Sequence, residues 1–93
     1  MNERLTLFWN ELITQCEQHK QFEFVFKIEY WGILWTPWFI SINDTSLTFS
    51  STDISDSDLK QLVDLEMIEF VEEITPVDPI DLKIETYRIK HHG

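Results

Sequence analysis

Alanine is missing from this chain altogether, glycine stands at only two positions and cysteine at one. Each scarcity closes off a class of protein. Without alanine, the best helix former, and with isoleucine, phenylalanine and threonine plentiful, pleated sheet should hold a large share of the chain. Gly32 and Gly93 are too few for a glycine-rich loop that cradles phosphate. A single thiol, Cys16, allows no internal disulfide and suits a reducing compartment. The longest near-continuous apolar run, Tyr30 to Trp35, is far below a membrane span. The opening Met1-Asn2-Glu3-Arg4 lacks the basic start and apolar run of a signal peptide. Bases are scarce too, seven against seventeen acids for a net charge of −10. A soluble, cytoplasmic protein forming one domain over residues 1–93 is expected.

What is present is a globular composition. At 43% apolar and 14% aromatic residues, the chain is too hydrophobic for a disordered acidic tail and can bury a modest core. Leu5, Phe8, Trp9, Leu12, Ile13 and Cys16 recur at i, i+3, i+4, i+7, i+8 and i+11, one stripe of an amphipathic helix. The period then changes to two. Phe22, Phe24, Phe26, Ile28 and Tyr30 face one way and Glu23, Lys27 and Glu29 the other, which is a half-buried antiparallel strand.

Gly32 offers a bend, and a second strand is expected from Leu34 to Ile42, with Pro37 marking an edge, a bulge or its first residue. Asn43-Asp44-Thr45-Ser46 is turn chemistry, and Leu47 to Phe49 reads as a short third strand. Ser55-Asp56-Ser57-Asp58 opens a second helix carrying Leu59, Leu62, Val63 and Met67. Ile68, Phe70 and Ile74 alternate with Glu69, Val71 and Glu73 as a fourth strand. Pro76-Val77-Asp78-Pro79 breaks it, and Leu82 to Ile89 returns as the last. The expected fold is α+β: an antiparallel sheet of four to five strands with two helices on one face, in the order α-β-β-(β)-α-β-β.

The charge is unevenly spread. Between Asp44 and Asp81, eleven acids stand against one base, Lys60, so the net charge of the whole chain resides in that stretch. Such a field repels nucleic acid and anionic membrane and attracts cationic surfaces.

Residues 55–93 carry the most specific local pattern. Leu59-Lys60-Gln61-Leu62-Val63-Asp64-Leu65-Glu66 leads to Met67-Ile68-Glu69, then a hairpin, Tyr87-Arg88-Ile89-Lys90 and Gly93. This resembles the recognition-helix-plus-wing unit of winged-helix proteins. In that family glycine is usual where Glu66 stands, and two further helices lie upstream where this sequence writes strands. The resemblance implies a DNA-reading helix, but Asp56, Asp58, Asp64 and Glu66 against Lys60 alone reverse the charge that phosphate contact needs.

Trp31, Trp35 and Trp38, with Tyr30 and Phe39, crowd ten positions around Gly32 and Pro37. Strand alternation cannot bury all of them on one face, so at least one should be accessible as a binding anchor. Other chemistries lack parts. A calcium loop starting at Asp53 has Asp58 where glycine is required and Asp64 in place of the bidentate glutamate. His19, His91 and His92 lack partners for zinc, and Cys16 lies on the apolar stripe. Glu72 and Glu73 point to opposite faces of a strand. No catalytic, cofactor or metal site is expected.

The reading is a small acidic interaction protein of inhibitor, immunity or phosphate-mimic type that docks a basic protein surface. Its expected contacts are Asp56, Asp58, Asp64, Glu66, Glu69 and Glu73, with Trp35 or Trp38 as apolar anchor. The alternative is a winged-helix-like regulatory module acting through protein contacts or as a homodimer. An enzyme or small-ligand carrier would instead need a cavity with converging polar groups near the tryptophans.

Overall fold

The computed structural model describes residues 2–32, 36–50 and 54–90. In chain order the elements are α1 (Glu3–His19), β1 (Glu23–Glu29), β2 (Trp38–Ile42), β3 (Thr45–Ser46), α2 (Asp56–Asp64), β4 (Ile68–Glu73) and β5 (Asp81–Ile89). The five strands form one antiparallel sheet in the order β3-β2-β1-β5-β4, so β1 and β5 are flanked on both sides and β4 is an open edge. The fold is α+β, with both helices on one face of the sheet.

Local chemistry explains the boundaries. Asn2 caps α1 by accepting the Leu5 N–H at 2.8 Å. At the far end Lys20 turns left-handed at φ 53°, and the Gln21 N–H returns to the Cys16 carbonyl at 3.1 Å. α2 ends the same way. Glu66 sits at φ 60° while its N–H reaches the Val63 carbonyl at 2.9 Å and the Met67 N–H reaches that of Leu62 at 3.0 Å. This pair of bonds is a Schellman closure, a motif that prefers glycine at the left-handed position. It also stops α2 at Asp64, so Met67 lies beyond the helix.

The third strand comes earlier than the sequence suggests. Asn43 and Asp44 both adopt positive φ, 50° and 66°, and Ile42 pairs with Thr45. A two-residue turn of this hand matches the twist of a hairpin, so the chain pairs at once over Thr45–Ser46. Leu47 to Phe49 lies outside the strand and packs Leu47 and Phe49 on the core instead. The second strand begins at Trp38, directly after Pro37, whose carbonyl accepts the Glu29 N–H at 3.0 Å. Gly32, at φ 146°, holds a conformation that side chains disfavour. In β4 the register slips between Phe70 and Glu72, a bulge at Val71 that moves Ile74 to the opposite face from Ile68 and Phe70.

One face carries the core. Phe24, Phe26, Ile40, Ile42, Ile68, Tyr87 and Ile89 point from the sheet to Leu5, Phe8, Leu12 and Cys16 of α1 and to Leu59 and Leu62 of α2. Cys16 is fully enclosed and burial pushes its thiol up to about 11, so it is a small core hydrophobe. Arg4 and Asp58 tie the helices together, with guanidinium-to-carboxylate distances of 2.8 and 3.2 Å. The Asp58 carboxylate also accepts the Ser55 N–H at 2.9 Å, closing the start of α2.

The Arg4 hydrogen bond is the main reason that the Asp58 carboxyl is held below the usual carboxylate range. A depressed folded value stabilises the protein above the unfolded pKa of about 3.9, and the contribution fades as pH falls through it. Asp58→Asn is expected to cost about 2 kcal/mol near neutral pH. It should also flatten the fall of melting temperature at acid pH. An acid limb identical to that of the parent would refute the assignment.

An acidic edge and an open sheet face

The expected contact acids divide into two groups. Asp58 is buried and serves the α1–α2 junction, so its charge is consumed inside the fold. Asp56 is exposed but receives the Lys83 ammonium at 2.8 Å, which lowers its pKa. Glu69 shares Arg88 with Glu23, each at 3.1 Å. By contrast Asp64, Glu66 and Glu73 are exposed and make no ion pair among the described residues, and the same holds for Glu72 and Asp78. These five follow the C-terminal end of α2, the open β4 edge and the turn beyond it.

Asp64 is the last helical residue, and a carboxylate there faces the negative end of the helix dipole. Glu66 occupies the left-handed closure where a side chain is strained. Neither placement helps α2 to form.

The tryptophans also separate. Trp38 is half-buried on the core face, edge-on to Phe8 at 6.0 Å and 5.6 Å from Phe49. It is a core residue rather than an exposed anchor. Trp35 lies outside the described residues. Among the described residues the exposed tryptophan is Trp31, 52% exposed, its ring 5.9 Å from Phe39 and its indole N–H donating to Glu29 at 2.7 Å. The sequence placed Trp31 in the aromatic cluster without choosing it, because the clue is its position past the end of β1, where alternation no longer assigns a face.

Trp31 overlooks the second face of the sheet, which neither helix covers. The cross-strand pairs arrange this face in rows. Glu69, Arg88 and Glu23 form an ionic row. Two residues along, Thr86, Val25, Ser41 and Ser46 form a row of small side chains. The next row holds Ile84, Lys27 and Phe39, with Ile74 at its β4 end. Lys27 is held by Glu29 at 2.8 Å and lies 3.7 Å from Asp81. Its pKa is raised, first by the Glu29 hydrogen bond and then by the surrounding carboxylates. An open groove of about 620 Å3 follows these residues, and a smaller one of about 120 Å3 meets it at Val25 and Ser41.

Among the described residues no buried side-chain polar atom is left without a partner, and no three metal-ligating side chains converge. No described helix is long and apolar enough to cross a membrane. No family model, curated protein or solved structure matches this chain.

The strained closure at Glu66 yields a direct test. Glu66→Gly is expected to stabilise the protein by about 1 kcal/mol, visible as a raised denaturation midpoint. A midpoint that falls would mean that the Glu66 side chain contributes more to the fold than its backbone costs.

Proposed function

We propose that this is a small, non-enzymatic, cytoplasmic interaction protein that docks a basic protein surface through the acidic side formed by α2, β4 and the turn after it. The observation that carries the reading is the disposition of the cations. Of seven bases, Arg4, Lys27, Lys83 and Arg88 are each engaged by carboxylates within the fold. Asp64, Glu66, Glu72, Glu73 and Asp78 therefore add to an outward negative field opposed locally by Lys60 and by Lys90, whose backbone N–H donates to the Met67 carbonyl. A protein inhibitor, an immunity protein for a basic toxin and a phosphate mimic all work on this charge logic, since complementary potentials steer association and fix register. Two of these acids also stand where they disfavour α2, as expected when surface residues serve a contact instead of stability.

A second reading rests on α2-β4-β5. A helix running into an antiparallel hairpin is the local unit that resembles a recognition helix and wing. In that reading the unit makes protein contacts or a dimer, because Asp56, Asp64 and Glu66 give the helix the wrong sign for phosphate. The segment upstream forms β1, β2 and β3 where winged-helix proteins carry helices, which favours the first reading.

The test is capture from the native extract at low and high salt, alongside a variant combining Asp64→Asn, Glu66→Gln, Glu72→Gln and Glu73→Gln. The parent should retain cationic proteins that elute with salt, and the variant should associate with them at least about tenfold more slowly while its circular dichroism is unchanged. Equal rates and equal salt dependence for the two proteins would contradict the proposal. A concentration-dependent dimer that captures nothing would favour the second reading.

A further inference from the structure

The acidic-docking reading puts the steering charge on the α2–β4 side, and the uncovered sheet face beside it supplies a seat for part of the partner. Its central row, Thr86, Val25, Ser41 and Ser46, is made of short side chains, and Thr86 is buried there without a covering helix. Longer side chains stand on both sides: Glu23, Arg88 and Glu69 on one, Ile84, Lys27 and Phe39 on the other. The face is therefore a trough that crosses the strands.

Its dimensions select an occupant. Glu23 and Lys27 are four residues apart on β1, so the backbone positions of the two walls are about 13 Å apart. An α-helix with its side chains measures about 10–12 Å across. The short side chains span four strands, β3, β2, β1 and β5, which at about 4.8 Å spacing give a floor about 15 Å long, the length of a helix of about 10 residues, with Glu72 standing at its β4 end. The sheet already buries its opposite face under helices, and a helix is the element that closes a sheet face in two- and three-layer domains.

Charge selects the sign of that helix. Glu23 and Glu69 line the side nearer the ionic row and Glu29 and Asp81 the other, while Glu72 stands at the β4 end of the central row and Asp44 in the β2–β3 turn, six carboxylates against Lys27 and Arg88. A second copy of this chain would bring like charges together. Both of its helices, moreover, have their apolar stripes buried in their own core. A cationic partner meets neither obstacle.

We propose that this trough receives one amphipathic, positively charged helix of a partner protein. Its apolar stripe lies over Val25 and against Phe39 and Ile84 of one wall. Its lysine or arginine side chains reach the carboxylates on either wall, and Trp31 covers one end of the groove. The inference rests on the acidic-docking reading and adds a seat beside the steering edge, with Glu72, opposite Thr86, shared between the two. The binding mode is that of a helix in a groove, read by anchors at helical spacing.

The experiment uses the full chain and two lysine–leucine peptides of about 14 residues with identical composition. One has its leucines on a single helical face and the other has them scattered. The amphipathic peptide should bind at least about tenfold more tightly than its isomer and change the tryptophan fluorescence, a change that Trp31→Phe should diminish. Its amide shift changes should centre on Val25, Ser41 and Ile84. Ser41→Tyr, which fills the trough without altering charge, should remove that preference, and the shift map on the parent protein stands even if this variant folds poorly. Equal binding of the two peptides, with shifts confined to α2 and the β4 edge, would overturn the trough while leaving acidic docking intact. Failure of both peptides to bind at low salt would overturn both.

Discussion

The structure depends on where a short supply of positive charge goes. Seven bases face seventeen acids, and the fold places its cations at junctions. Arg4 joins α1 to the start of α2, Lys83 reaches Asp56 of α2 from β5, and Arg88 bridges Glu23 of β1 and Glu69 of β4 across β5. Lys27 sits among the carboxylates of the open face. Exposed ion pairs contribute little each, about 0–1 kcal/mol. The Arg4–Asp58 pair differs because Asp58 is buried and also closes the N-terminus of a helix. Once these junctions are satisfied, Lys20, Lys60 and Lys90 are the bases left, and surplus carboxylates such as Glu66, Glu72 and Glu73 lie exposed.

The second constraint is parity. Alternation in β1 sends Phe24 and Phe26 to the helices and Val25 and Lys27 to the other side, and the registers with β2 and β5 extend that division across the sheet. A sheet with one face packed and the other exposed should read as apolar alternating with polar. Here the exposed face keeps Val25, Phe39, Ile84 and Ile74, interleaved with acids. That mixture matches an interface, where an apolar centre lies within a polar rim.

The elements legible in the sequence were those set by short-range rules. The α1 stripe, the β1 alternation and the Ser55 helix start each need only neighbours within a turn or two, and all three stand where expected. The misses have longer-range causes. Asn43-Asp44 makes a hairpin turn that sequence pattern does not distinguish from a looser loop, so β3 was placed too late. The bulge at Val71 flips Ile74 through its pairing with β5, which β4 alone does not encode. Acid density along the chain was read correctly as density, but pairing is a property of space. Asp58 finds its arginine 54 residues away, Asp56 its lysine 27 away and Glu69 its arginine 19 away. Trp38 and Trp31, seven positions apart, go to the core and to solvent because β2 and the loop before it obey different rules.

The central claim is that surplus negative charge is denser along the α2–β4 side and the open sheet face than on α1, where Glu3, Glu11 and Glu17 stand against Arg4 over seventeen residues. Amide-resolved paramagnetic relaxation measured with a cationic and an anionic nitroxide cosolute maps the near-surface potential residue by residue. The account predicts that the cation-to-anion enhancement ratio peaks from Asp64 through Asp78 and across Ser41, Thr86 and Glu29, and is lowest along the solvent side of α1. A ratio uniform over the molecule would contradict it.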